Sequence, residues 1–190
     1  MFICLEEREE KMGDWSRGFG NFGIISDHNI EESLRKMLGK PFTCDEMQHG
    51  DISKERYKMI PHSKEGSLDY HINSFQIVKN PNIFNRNIDY TGHWLTEIEI
   101  YGCLKDGNNA DISLEDWLMQ VLTKFSIYED NCGNYNYFKW SDDYSEWETW
   151  YTVHDGIISK HDCPKSADAE IEYRNSFTWD GTQWIPDEED

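Results

Sequence analysis

The chain has 190 residues, a formal net charge of −19 and an aromatic content of 14%. This length fits a single domain, and so many aromatic residues exclude a disordered chain although 29% of the residues are charged. The charge disfavours direct binding to nucleic acid or anionic membranes, and it favours partners with basic clefts, most commonly proteins that hold nucleic acid.

Two further features bear on location. The apolar runs are too short to span a membrane, and the acidic start "MFICLEEREE" lacks the basic and apolar regions of a secretory signal. The five cysteines are scattered without short repeated spacings. Together these features predict reduced thiols in a cytoplasm.

The first predicted element is a helix in "SDHNIEESLRKMLGK". Asn29 and Glu32 have the spacing of a capping box, and Gly39 suits the C-terminal end. Its apolar face consists of Ile30, Leu34, Met37 and Leu38. Residues 40–66 are predicted to be irregular, with a short helix near 53–59.

Two strands are predicted next, in "LDYHINSFQIV" and "HWLTEIEIYGCL", on either side of a loop rich in turn-forming residues. The buried face of the second strand is predicted to consist of Trp94, Thr96, Ile98 and Ile100. A second helix is predicted in "SLEDWLMQVLTKFSIY", where Ser113 and Asp116 can form a capping box and an apolar stripe can pack on a sheet.

The rest of the chain predicts a β-meander. "YNYFKW" and "EWETWYTV" are aromatic strands around the acidic turn "SDDY", and Asp180-Gly181 predicts a two-residue type I′ turn in a final hairpin. The expected fold class is α+β, an antiparallel sheet of meanders and hairpins with one main packed helix and an N-terminal helical extension. Residues 1–66 form the helical or irregular region, and residues 67–190 form the α+β domain with an acidic, tryptophan-rich meander, in one compact unit.

The motif "GFGNFG" matches the nucleotide-binding pattern G-x-G-x-x-G at Gly18, Gly20 and Gly23. A dinucleotide-binding loop would follow an apolar strand and lead directly into a helix, and neither flanks this motif. A kinase glycine-rich loop would be accompanied by the other kinase motifs, and these are missing from the sequence. The segment is therefore predicted to be a flexible glycine-aromatic loop.

Residue types that could support catalysis are present, but their spacing is unusual. Cys44, His49, His161 and Cys163 could supply four zinc ligands, yet they lack the spacings common in structural zinc sites. The neighbouring pairs His154-Asp155 and His161-Asp162 would point to opposite faces of a strand, so neither forms a dyad. We predict no catalytic residue, no metal and no cofactor, and a metal-dependent enzyme is the less favoured alternative.

Negative charge and tryptophan are concentrated in the same half of the chain. Residues 106–190 contain 20 acidic and 5 basic residues, a net charge of −15, and six of the eight tryptophans. In "EWETWYTV", Trp147, Thr149, Tyr151 and Val153 are predicted to face one side, and Glu146, Glu148, Trp150 and Thr152 the other. Carboxylates on one strand face repeat at about 7 Å, close to the phosphate spacing of a nucleic-acid strand.

These patterns predict a partner-binding surface. The residues expected to carry its charge are Asp142, Asp143, Glu146, Glu148 and Asp155. Trp150 is the expected anchor, with Trp140 and Trp147 as further candidates.

In composition, this half resembles acidic phage-encoded DNA mimics and anti-defence (anti-CRISPR) inhibitors, and also toxin-neutralising immunity proteins, although no motif is shared. The net charge of −15 from residue 106 onward predicts a non-enzymatic inhibitor that binds a basic nucleic-acid-binding protein or nuclease and occludes its nucleic-acid cleft. If the chain is encoded by a phage, the expected location is the host cytoplasm. One alternative is a glycan- or peptide-binding β domain that uses exposed aromatic residues. Another is that the acids form only a solubilising shell.

Overall fold

The computed structural model describes residues 14–43, 45–46, 59–79, 89–128, 136–165 and 174–187. Nine strands lie within these ranges: β1 (Trp15–Ser26), β2 (Leu68–Gln76), β3 (Trp94–Lys105), β4 (Ser126–Ile127), β5 (Tyr137–Asp142), β6 (Trp147–His154), β7 (Ile157–Pro164), β8 (Arg174–Trp179) and β9 (Trp184–Pro186). The two helices with bounds in these ranges are α1 (Glu31–Leu38) and α2 (Leu114–Leu122). The short helix expected near 53–59 falls almost wholly outside the described residues.

All nine strands belong to one antiparallel sheet. Its order is β2-β3-β1-β5-β6-β7-β8-β9, and β4 pairs with the C-terminal part of β1. β1 is a 12-residue strand that pairs along its full length with β3 and along residues 16–21 with β5. A strand from the N-terminal part of the chain therefore joins the β2–β3 pair to the C-terminal meander.

The prediction of a flexible loop at "GFGNFG" is wrong, because this motif lies inside β1. A Cβ atom on Gly18 would lie 2.6 Å from both the Phe138 and the Trp140 ring, and one on Gly20 would overlap the backbone of Tyr137 and Phe138. The glycines therefore allow β5 and its large aromatic side chains to pack closely against β1.

The expected α+β class, with one main packed helix and an N-terminal helical extension, is also wrong. The fold is mainly a nine-stranded antiparallel sheet, and the described helices are only eight and nine residues long. The main reason is the missed strand β1. With it in place, the strands form one extended sheet, and the helices cover only part of one face.

The two helices begin and end through different local contacts. In α2 the predicted N-cap is confirmed, because the Asp116 N–H donates to Ser113 Oγ at 2.9 Å. The Asp116 carboxylate accepts from the Ser113 hydroxyl at 2.7 Å, and not from the Ser113 N–H as in a full capping box. The helix ends earlier than predicted, with Thr123 as its C-cap. In α1 the predicted capping box does not form, since Asn29 accepts from the Glu31 N–H, but Gly39 ends the helix with a φ of 81°.

The core lies between the helices and one face of the sheet, here called the inner face. The predicted alternation of β3 is confirmed at Thr96, Ile98 and Ile100, which are buried there. Trp117 of α2 is fully buried, and its Nε1–H donates to the Leu38 carbonyl of α1 at 2.9 Å. This bond ties the two helices together above the sheet.

Glu115, in the first turn of α2, ties this helix to the C-terminal strands. Its carboxylate accepts hydrogen bonds from Tyr151 of β6 at 3.0 Å, Lys160 of β7 at 2.7 Å and Trp184 of β9 at 2.7 Å. Burial alone would raise the pKa of Glu115, but these three donors and the lysine charge lower it. Burial, followed by the nearby Glu115 charge, raises the pKa of Tyr151.

The final hairpin differs from its prediction. Trp179 pairs with Trp184, so residues 180–183 form a four-residue loop instead of a two-residue turn. Asp180 accepts from the Thr182 and Gln183 N–H groups and so holds the loop.

Among the described residues, neither helix has the length and apolar character needed to cross a membrane.

Candidate functional site

The predicted alternation of β6 is confirmed. Tyr151 and Val153 are buried on the inner face, and cross-strand pairing places Glu148 and Trp150 on the opposite face, here called the outer face. Because β6 lies near the middle of the sheet, its outer face is flanked by β5 on one side and β7 on the other.

Two of the candidate anchors do not share that face with Trp150. Trp140 lies on the inner side, where its ring stacks on Phe138 with centroids 6.4 Å apart and packs against the core. Trp147 has the same orientation as Tyr151 on β6 and is half-buried. The structure therefore separates Trp140 and Trp147 from Trp150, which lies on the outer face.

Three predicted acids lie together where β5 turns into β6. Asp142 ends β5 and accepts from the Ser16 hydroxyl, while the Asp143 carboxylate lies 3.3 Å from Arg17. The Asp143 N–H donates to the Trp15 carbonyl at 2.8 Å, which fixes the turn beside the start of β1. Glu146 follows in the same turn and is exposed.

Two further acids reach the same end of the sheet from neighbouring strands. The Asp14 N–H donates to the Asp106 carboxylate at 3.1 Å, and the Asp106 N–H donates to the Asp14 carbonyl at 2.8 Å. All five side chains are exposed. This acidic strand-end group consists of Asp14, Asp106, Asp142, Asp143 and Glu146. Sequence reasoning missed Asp14 and Asp106 because their approach depends on β1, which it did not predict.

The other two predicted acids have different surroundings. Asp155 lies in the β6–β7 turn, at the far end of β6. The length of β6 places it about 25 Å from the acidic strand-end group. Glu148 lies on the outer face with only 15% of its side chain exposed, 3.6 Å from Lys139, and accepts from the Trp150 Nε1–H at 2.8 Å. Its charge is therefore largely used within the fold.

The outer face carries a line of side chains that crosses six neighbouring strands. Successive pairing places Asp69, Tyr101, Phe19, Lys139, Trp150 and His161 side by side, and we call this set the outer row. Six strands span about 24 Å. Phe19 and Tyr101 are 39% and 41% exposed, which is high for aromatic residues in the middle of a sheet.

Aromatic contacts and one cation organise the β5–β6 part of this face. Trp150 stacks on Tyr137 with centroids 5.3 Å apart and an interplanar angle of 27°. Lys139 lies over the Trp150 ring at 5.6 Å. Phe19 extends the cluster, with its ring 6.3 Å from Tyr137. This arrangement offers flat apolar rings beside carboxylates.

The candidate catalytic and metal-binding residues can be located in part. His154 and Asp155, predicted to point apart as strand neighbours, instead lie 3.4 Å apart (Nε2 to Oδ2), because Asp155 lies in the turn after β6 with a φ of 50°. The described residues contain no group of three or more His, Cys, Asp or Glu residues that could hold a metal ion. Of the four possible zinc ligands, His161 and Cys163 lie in β7, whereas Cys44 and His49 fall outside the described residues. His161 and Asp162 take opposite faces of β7, and the Asp162 carboxylate accepts from Thr149 at 2.8 Å.

Comparison with known protein families, with curated proteins and with solved structures found no match.

Proposed function

We propose that this chain is a non-enzymatic cytoplasmic inhibitor that binds a basic protein that binds or cleaves nucleic acid, and occludes its nucleic-acid cleft. The acidic strand-end group is the observation that carries this proposal. It brings five exposed carboxylates from the ends of β3, β1 and β5 to one end of the sheet.

The spacing of these carboxylates suits a surface adapted to phosphates. Neighbouring strands lie about 4.8 Å apart, so acids on adjacent and next-but-one strand ends are separated by roughly 5–10 Å. Phosphates along one nucleic-acid strand lie about 7 Å apart, within this range. Lysines and arginines arranged for phosphates can therefore meet several of these acids at once.

The charge of the whole chain supports the same partner class. A net charge of −19 attracts a basic cleft at long range and raises the rate of association. Charges at the rim of an interface chiefly set association rate and salt dependence. The proposal therefore requires complexes that weaken as salt increases.

The experiment is affinity capture from a cell lysate with the full chain, at low and high salt, followed by mass spectrometry. We expect nucleic-acid-binding proteins at low salt, and their loss at high salt or when DNA or RNA is added. For a captured partner, fluorescence anisotropy with labelled nucleic acid should show displacement by the chain.

A matched pair of triple variants separates a local surface from general charge. Asp142→Asn, Asp143→Asn and Glu146→Gln should weaken binding to the captured partner. Asp27→Asn, Glu31→Gln and Glu32→Gln remove the same charge at and beside α1 and should leave binding close to wild type. Equal weakening by both triples would contradict a specific strand-end surface. Failure to capture any basic protein at low salt would contradict the proposal as a whole.

The exposed rings of the outer row support a second candidate, a glycan- or peptide-binding β domain. Phe19 and Tyr101 offer flat apolar surfaces, and Trp150, half-buried between Tyr137 and Lys139, lies further along the row. A neutral glycan would quench tryptophan fluorescence in a manner that does not depend on salt. Titration with neutral oligosaccharides at two salt concentrations tests this candidate.

A further inference from the structure

We infer that the outer row is a docking surface for an arginine side chain of the basic partner, seated on Phe19 and Tyr101 next to Asp69 and Glu99. The inference rests on the proposed function, since that function supplies a basic partner. It adds a second contact surface on a different part of the sheet from the acidic strand-end group, and it names the side chain recognised there.

The protein already holds one cation on this face in the same manner. Lys139 lies over the Trp150 ring at 5.6 Å and 3.6 Å from the Glu148 carboxylate. Glu148 is fixed in turn by the Trp150 Nε1–H at 2.8 Å. A ring and a carboxylate that share one cation therefore form a stable unit on this sheet.

The β2–β3–β1 part of the outer row repeats these components. Phe19 pairs directly with Tyr101, and Tyr101 pairs directly with Asp69. Glu99 lies two residues from Tyr101 on the same face and is exposed. Both rings are about 40% exposed, and no cation among the described residues lies over either of them.

Charge complementarity selects a cation as the occupant. Between residues 69–73 of β2 and 97–101 of β3, the outward positions carry three carboxylates, on Asp69, Glu97 and Glu99, and neither lysine nor arginine. The pKa of Tyr101 reflects these carboxylates. Burial raises this pKa most, and the charge of Asp69 and a hydrogen bond to Asp69 raise it further. A neutral sugar would leave these negative charges uncompensated.

Among cations, the geometry favours arginine over lysine. A guanidinium group is planar, stacks on aromatic rings and donates in its plane to carboxylates, whereas an ammonium group is a compact and strongly hydrated charge. Two neighbouring rings, with the Asp69 and Glu99 carboxylates beside Tyr101 and Lys139 on the far side of Phe19, match a planar group seated toward the Tyr101 side. Arginine is also common in clefts that bind phosphate.

The test is isothermal titration calorimetry of the full chain with two synthetic peptides at constant ionic strength, one alternating glycine and arginine and the other alternating glycine and lysine. We expect the arginine peptide to bind more tightly. Phe19→Leu and Tyr101→Leu keep apolar side chains but remove the ring, and each should weaken arginine-peptide binding about fivefold, as for a partly exposed cation–π contact.

Phe75→Leu is the matched control. Phe75 is 43% exposed and lies on the same face of β2, about 20 Å along the strand from Asp69. Its replacement should leave affinity for the peptide unchanged. Circular dichroism and thermal unfolding of all three variants verify that they keep the fold.

The outcomes separate this inference from the proposed function. If the arginine peptide binds and weakens in the strand-end triple variant, but not in Phe19→Leu or Tyr101→Leu, the outer-row inference is overturned and the acidic surface remains. If an oligosaccharide binds with sensitivity to Phe19→Leu while neither peptide binds, the arginine assignment is overturned in favour of a glycan. If lysate capture also returns no basic protein, the proposed function fails as well.

Discussion

Glu115 connects α2 to three strands, so its replacement by glutamine should destabilise the fold measurably. Glutamine keeps the shape but offers one acceptor oxygen where the carboxylate offers two, and these two accept from Tyr151, Lys160 and Trp184. At least one donor then loses its acceptor, and Lys160 loses its counter-ion at 2.7 Å. Hydrogen bonds to charged groups are worth about 1.5–3 kcal/mol.

Glu115→Gln is expected to lower the free energy of unfolding by about 2 kcal/mol. This is less than the sum of three charged hydrogen bonds, because water still reaches Glu115 and Lys160. For a chain of this size, such a loss lowers Tm by about 4–8 °C. Urea unfolding at neutral pH, followed by tryptophan fluorescence, measures the free energy of unfolding. The matched control is Glu31→Gln, the same change in the first turn of α1, where the exposed i,i+4 pair with Arg35 contributes about 0.5 kcal/mol or less.

The pH dependence gives a second measure of the same interaction. Because the folded pKa of Glu115 lies below the ordinary value of 4.5, its stabilisation is fully present above that value and is lost as pH falls through the folded pKa. The difference in stability between wild type and Glu115→Gln should therefore shrink below about pH 4.5. Equal stability of Glu115→Gln and Glu31→Gln at neutral pH would refute the assigned role.

Two further predictions follow from local geometry. Gly20→Ala should destabilise the fold by about 3 kcal/mol, because its Cβ would overlap the Tyr137 carbonyl. Gly23→Ala on the same strand, whose Cβ would have its nearest contact at 3.2 Å, should destabilise the fold by about 1 kcal/mol or less. The midpoints of urea unfolding compare the two variants. Burial, followed by the charges of Glu148 and Asp162, raises the pKa of the Cys163 thiol to about 11. Alkylation of Cys163 at pH 8, measured by peptide mass spectrometry, should therefore be about 100-fold slower than alkylation of a thiol with the ordinary pKa. The alkylation rate should continue to rise with pH beyond 9. A rate that reaches a plateau near pH 9 would contradict the raised pKa.

The strands with regular alternation were predictable from the sequence. In β3 and β6, apolar and polar residues alternate with a period of two, and that period directly states which residues share a face. The signal of Ser113 followed by Asp116 was equally local and located the N-cap at the start of α2. The end of α2 was not predictable from its apolar stripe, because the residues after Thr123 include the short strand β4, whose pairing with β1 is non-local.

β1 shows where sequence reasoning fails. Glycine is depleted in strands, and three glycines in six residues predict a loop by every local criterion. Here the glycines are compatible with a strand because Gly18 and Gly20 lie beneath Phe138 and Trp140 of a neighbour about 120 residues away. The reason for the glycines therefore becomes visible only once the strand order is known.

This one strand also determines the arrangement of the candidate surfaces. Asp14 lies at the start of β1 and Phe19 lies five residues later, about 17 Å along the strand, so the acidic strand-end group and the outer row are held by the same backbone. Both surfaces also draw on β3 and β5, which pair with β1 on either side. A partner that contacts both must present cations over about 17 Å, a length of two to three phosphate-to-phosphate spacings on a nucleic-acid strand. The rigid spacing provided by a central strand is therefore compatible with a cleft that normally holds several nucleotides, and it makes β1 the element on which both proposals most depend.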